Sequence, residues 1–127
     1  MVTLAVGEQL NGMLLATAEN DDYSALCEFT NKQFERRFSS HLEQFYPLIL
    51  SSWINNQIQA SVGFRAAKDG PLFLEQYLDQ PAEMLLNADR KSIVEIGGFA
   101  ALNRAAALPL MRAATIDLSD RREKAKR

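Results

Sequence analysis

The sequence predicts an α+β domain, a largely antiparallel sheet flanked by helices. Three observations carry that expectation. The stretch "ENDDYSALCEFTNKQFERRF" repeats its apolar residues at helical steps. "FYPLILSSWI" and "IQASVGFRAA" are two extended runs joined across the short polar "NNQ". A third extended run, "SIVEIGGFAAL", is followed by a helix-rich end. The order β–α–β–β–α–β–α gathers strands next to one another, which favours an antiparallel sheet with helices packed on it.

Each element has a local cause. Thr3 to Val6 forms a short strand, ended by Gly7 and the Asn11-Gly12 pair. Asn20, Asp21 or Asp22 caps the first helix. Its dry side carries Tyr23, Leu26, Cys27, Phe34 and Phe38, and Lys32, Glu35 and Arg36 lie on or near the wet side. Arg36 and Arg37 stand at its C-terminal end, where positive charge is favoured. Asn55-Asn56 suits a tight hairpin turn, because asparagine tolerates positive φ. Ile58, Ala60 and Val62 alternate with Gln57, Gln59 and Ser61, so the second hairpin strand has one dry and one wet face. After the "KDG" turn, Asp79 caps a helix reaching about Asn87, with Pro81 and Glu83 in its first turn. Gly97-Gly98 inside the third extended run marks a bulge or a close backbone approach. Asn103 caps the last helix, which Pro109 kinks or restarts.

Composition removes several functions. The 127 residues make one domain, with 47% hydrophobic and 24% charged residues and a formal net charge of −2. That balance gives no basic stripe for nucleic acid. The terminal "DRREKAKR" carries an excess of +3 and reads as a solvated end. The first residues lack a basic segment followed by an apolar one, and no apolar run reaches membrane-spanning length. The single cysteine, Cys27, has no internal disulfide partner, which suits the reducing cytoplasm. His41 is the lone histidine, without acidic or cysteine neighbours at ligand spacing, so no metal centre is expected.

Two carboxylates remain to be explained. In "PLFLEQYL", Glu75 and Gln76 sit among Leu72, Phe73, Leu74, Tyr77 and Leu78. A buried unpaired carboxylate is costly, so Glu75 needs Arg65 or Arg90, a capping role, or a substrate. Glu95, between Val94 and Ile96, faces the side of its strand opposite to them, toward a cleft or toward water, and Glu95 or Glu75 is expected within salt-bridge reach of Arg65.

The strings "VGFRAAKDGPLFLEQYLDQPAEMLL" and "RKSIVEIGGFA", approached by "RRFSSHLEQFYPLIL", resemble the bacterial thermostable-hemolysin family over about residues 30 to 102. That resemblance implies a GCN5-related N-acyltransferase fold, with a looser likeness to acyl-homoserine-lactone synthases through "EIGGF". The implied activity moves an acyl group from an acyl-CoA or carrier thioester to an amine. Glu95 is then the catalytic base, and Arg65 and Glu75 bind substrate. Gly97, Gly98, Phe99 and Ala100 present backbone to the thioester arm. The chain departs from the pattern in two places. No glycine follows "GGFAAL" to build a phosphate-binding loop, and Gly98 stands where the synthases carry arginine. The implied fold also continues beyond this last helix, so the expectation is an incomplete or shortened relative. A second copy would cover its "IVEIGGFAAL" strand or the "LPLMRAATIDL" face, giving a homodimer. The alternatives to acyl transfer are a non-catalytic dimeric half-fold and a membrane-lytic protein, as the family name implies.

Overall fold

The computed structural model describes residues 6, 7, 9, 10, 12–42 and 44–113. Five strands form one sheet in sequence order, each pair antiparallel. They are β1 (Gln9–Leu10), β2 (Met13–Ala16), β3 (Leu48–Ile54), β4 (Gln57–Ala66) and β5 (Val94–Ala101). Helix α1 (Tyr23–Phe38) links β2 to β3, the short helix α2 (Ala82–Leu86) lies between β4 and β5, and helix α3 covers residues 104–113. The α+β class with a largely antiparallel sheet is therefore as expected.

The start of the chain differs from expectation. Residues 3–5 of the expected first strand lie outside the described residues, and Val6 is in a turn with Gly7. The first hairpin instead folds around Gly12, whose φ is +76. A Cβ on Gly12 would meet the Trp53 carbonyl oxygen at 2.9 Å, and the Trp53 N–H donates to the Gly12 carbonyl. "MLLA" gives no alternation to read, because this strand is covered on both faces. Leu15 enters one core cluster and Ala16 another.

Helix α1 runs where the apolar spacing places it. Asp22 is its cap residue by position but makes no side-chain cap bond. Asn20 is engaged one turn earlier, accepting from the Thr17 N–H at 2.8 Å. The β3–β4 hairpin turns on Asn55 and Asn56 with φ of 52 and 63, the pair of positive values that a tight two-residue turn requires.

The sheet is dry on both sides. Leu26 of α1 packs on Ala16 and Ile49, with Tyr23, Cys27, Trp53 and Ile58 around them. On the opposite face, Leu110 of α3 closes over Leu15, Leu50, Val62 and Phe64 and is itself fully buried, a side chain contributing about 2 kcal/mol. Two of the polar residues inside, Thr30 and Ser61, satisfy each other, and Ser51 turns to the backbone. The Thr30 and Ser61 hydroxyls lie 3.0 Å apart, and the Ser51 hydroxyl donates to the Leu14 carbonyl.

Between β4 and β5 the chain makes short 3-10 turns over Ala67–Asp69, Leu74–Tyr77 and Arg90–Ser92. Pro81, not Asp79, occupies the cap position of α2, and Asn87 ends it with φ of 50. Proline at that boundary has no N–H to leave unpaired, which makes it a good stop for the preceding loop. Strand β5 is irregular at its glycines. Gly97 pairs with Gly63 and Ala100 with Ser61, so Gly98 and Phe99 together face the single residue Val62. Gly98 has φ of +59, as such a bulge calls for.

Candidate functional site

A cleft of about 470 Å³ lies on the α1 face of the sheet. Residues 41, 42 and 44–46 close one side of it and the 73–77 turn the other. Phe34, Phe45, Tyr46, Phe73 and Tyr77 give it an aromatic lining, and Gly98 borders it. His41, Gln44 and Gln76 add polar groups.

Tyr46 organises this cleft. Its ring lies on Gly63 and Gly97, which face each other across β4 and β5. A Cβ on Gly63 would stand 2.5 Å from the Tyr46 Cβ, and one on Gly97 would run into the Tyr46 hydroxyl. Only paired glycines let an aromatic ring lie so close to a sheet. The Tyr23 hydroxyl donates to the Tyr46 carbonyl at 2.7 Å and fixes its backbone. Phe73 meets the Tyr46 ring edge-on at 4.8 Å, and the Arg65 guanidinium stacks on Phe73 at 4.3 Å. Burial pushes the Tyr46 phenol up, the Glu95 charge adds to this, and Arg65 opposes it. Tyr23 is pushed up to about 12, chiefly by burial. Both phenols are neutral at ordinary pH.

The two puzzling carboxylates hold this wall in place. Glu95 accepts from the Phe73 N–H at 2.9 Å and the Leu74 N–H at 2.8 Å, so it caps the 73–77 turn from the neighbouring strand. Glu75 accepts from the N–H groups of Leu72 and Ala82 and forms an ion pair with Arg90 at 2.8 Å. The Arg90 guanidinium also donates to the carbonyls of Ala67 and Gly70 and reaches Glu83 at 3.0 Å. One cation thus ties together both ends of the 67–93 connection. Arg90 above all, then the Leu72 and Ala82 amides, hold the Glu75 carboxyl well below the usual carboxylate range.

Arg65 departs from expectation. It was expected to pair with Glu95 or Glu75, yet among the described residues it makes no ion pair. Glu95 is its partner in the β4–β5 register, but that carboxylate is oriented by two backbone amides. Arg65 instead lies on aromatic faces and donates to the Pro71 carbonyl at 3.1 Å, with its buried Nε unpaired.

The four expected arm-binding residues separate. Gly98 borders the cleft, and Gly97 lies beneath Tyr46. Phe99 turns toward the opposite core, and Ala100 is buried. Cys27 packs beside Tyr23, and burial pushes its thiol up, away from nucleophilic thiolate. His41 is exposed, 3.0 Å from Glu35. No group of three metal-binding side chains exists among the described residues.

The family model described as "Thermostable hemolysin" matches residues 16–124, which include both distinctive strings. The chain belongs to the thermostable hemolysin family. No curated protein and no solved structure matches it. For this family member, the "FLEQYL" and "VEIG" carboxylates have a defined structural task, which is to shape one wall of the cleft. Sequence reasoning missed Tyr46 and Phe45. The signal that could have found Tyr46 is Gly63, an isolated glycine inside a strand and so a sign of close approach.

Proposed function

We propose that this protein binds the acyl chain of an acyl thioester in the cleft beside Tyr46 and passes the acyl group to an amine. The observation that carries this reading is the aromatic cleft of about 470 Å³ opening on the bulge at Gly98. Aromatic walls suit an acyl chain, and a bulge frees backbone polar groups from the ladder to meet a carbonyl. In the reaction, the amine nitrogen attacks the thioester carbonyl carbon, the C–S bond breaks, and the amine proton ends on the departing thiol. Glu95 is the candidate acceptor of that proton. The two amides orient its carboxylate, and each oxygen keeps a second lone pair. The family description names a hemolysin. Among the described residues no helix is long and apolar enough to cross a membrane.

The passage from β5 to α3 favours one kind of donor. Leu102 and Asn103 form it without glycine, and Asn103 caps α3 by accepting the Ala106 N–H at 2.9 Å. With no glycine loop to cradle a pyrophosphate, affinity must come from the acyl chain. Titration calorimetry with acyl-pantetheines of increasing length should show affinity rising roughly tenfold for every two methylenes. No heat at millimolar octanoyl-pantetheine counts against the reading.

A second reading concerns assembly. Among the described residues strand β5 is a sheet edge, Val94 and Ile96 on it are 41% and 54% exposed, and Leu108 of α3 is 57% exposed. These apolar surfaces support a homodimer. Sedimentation should show a dimer that Ile96→Lys converts to monomer, and a strict monomer for the unaltered chain at micromolar concentration argues against it.

A further inference from the structure

A second cavity, of about 230 Å³, lies on the other side of Phe34, where the end of α1 meets the end of β5 and the start of α3. Its apolar walls are Phe34, Phe38, Phe99 and Ala107. Gln33 lines it too, and this side chain is only 5% exposed. The Gln33 Oε1 is buried without a hydrogen-bond partner. A buried amide oxygen in that state calls for an N–H or O–H donor. The remaining polar contributors are Asn103 and two cations, Arg37 and Arg104, and no carboxylate lines the cavity. Arg37 spends one nitrogen on the Ala101 carbonyl at 3.0 Å. Among the described residues the Arg104 guanidinium has no partner. Arg104 also begins α3, where the helix dipole favours negative charge.

We infer that this cavity binds a small apolar carboxylate carrying an N–H donor, of the aryl- or acyl-substituted amino acid type. The aromatic walls take the apolar body. Gln33 accepts the N–H, and the guanidinium forks of Arg37 and Arg104 take the carboxylate. The volume is below the roughly 300 Å³ at which pockets for drug-sized ligands begin, so the ligand is small. This site is separate from the cleft beside Tyr46, and its occupancy does not depend on acyl-thioester binding there.

The test uses indole-3-acetate as the probe, with 1-naphthaleneacetate as a partner of similar shape that lacks the N–H. Titration of the full chain by calorimetry, with amide shifts followed by NMR, should show saturable indole-3-acetate binding that perturbs Phe99 and Ala107. Arg104→Glu, at an exposed position, should weaken both probes at least about tenfold. Gln33→Met should weaken indole-3-acetate by a similar factor and leave 1-naphthaleneacetate unchanged. If Gln33→Met fails to fold, the Arg104→Glu result on the two probes decides alone. The inference is overturned by absence of saturable binding at millimolar probe, by an Arg104→Glu variant that binds normally, or by equal loss of both probes in a folded Gln33→Met variant.

Discussion

Replacing Gly63 with alanine is expected to destabilise the protein by about 3 kcal/mol, among the largest effects of any single methyl group in this chain. The added Cβ would lie 2.5 to 2.7 Å from the Tyr46 Cβ, Cγ and Cδ2. Those atoms sit close to a backbone that the Tyr23 hydroxyl holds at 2.7 Å, so they cannot swing aside. Gly97→Ala presses on the far end of the same ring, which can rotate away at lower cost. Urea unfolding of both variants tests the difference. Near-neutral Gly63→Ala would mean that Tyr46 does not lie on the sheet as described.

Arg90→Ala should produce the second large effect, concentrated in the 67–93 connection. The substitution removes hydrogen bonds to two carbonyls and two carboxylates at once. It leaves Glu75, whose side chain is 15% exposed, without its counter-charge. Amide exchange at Leu72 and Ala82, which donate to Glu75, should accelerate by roughly tenfold or more. The β3–β4 hairpin should keep its protection. Uniform acceleration across the whole sheet would contradict this local account. The same network sets a pH dependence. The folded Glu75 carboxyl lies below its unfolded value, so its stabilisation is complete above the ordinary carboxylate value of about 4.3. As pH falls from there toward the folded value, the contribution is lost. The stability gap between the unaltered protein and Glu75→Gln should therefore be flat from about pH 7 to 5 and shrink on further acidification.

What the sequence made legible was local. The spacing of Tyr23, Leu26, Cys27, Phe34 and Phe38 placed α1, Asn55-Asn56 placed a hairpin turn, and Gly97-Gly98 marked the bulge in β5. Strand β2 escaped because four residues buried on both faces carry no period. For Glu75 the sequence left Arg65, Arg90, a capping role or a substrate open, and the choice depended on contacts that sequence does not order. Arg65 is drawn to the Phe73 ring, 4.3 Å away, while Arg90 reaches the Ala67 and Gly70 carbonyls beside Glu75. Glu95 was legible as a carboxylate on the opposite side of its strand from Val94 and Ile96, but not as the cap of a turn more than twenty positions earlier in the chain. Tyr46 was the largest omission, since its place depends on two glycines in two different strands.

The central claim is that the cleft beside Tyr46 receives an acyl chain while the surrounding carboxylates hold its wall. Amide chemical-shift mapping during titration with octanoyl-pantetheine tests it most directly. The expected result is saturable shifts at Phe73, Gln76, Tyr77 and Gly98, which border the cleft, with Ala107 of the second cavity unmoved. Shifts confined to Phe99 and Ala107, or none at millimolar ligand, would contradict the account.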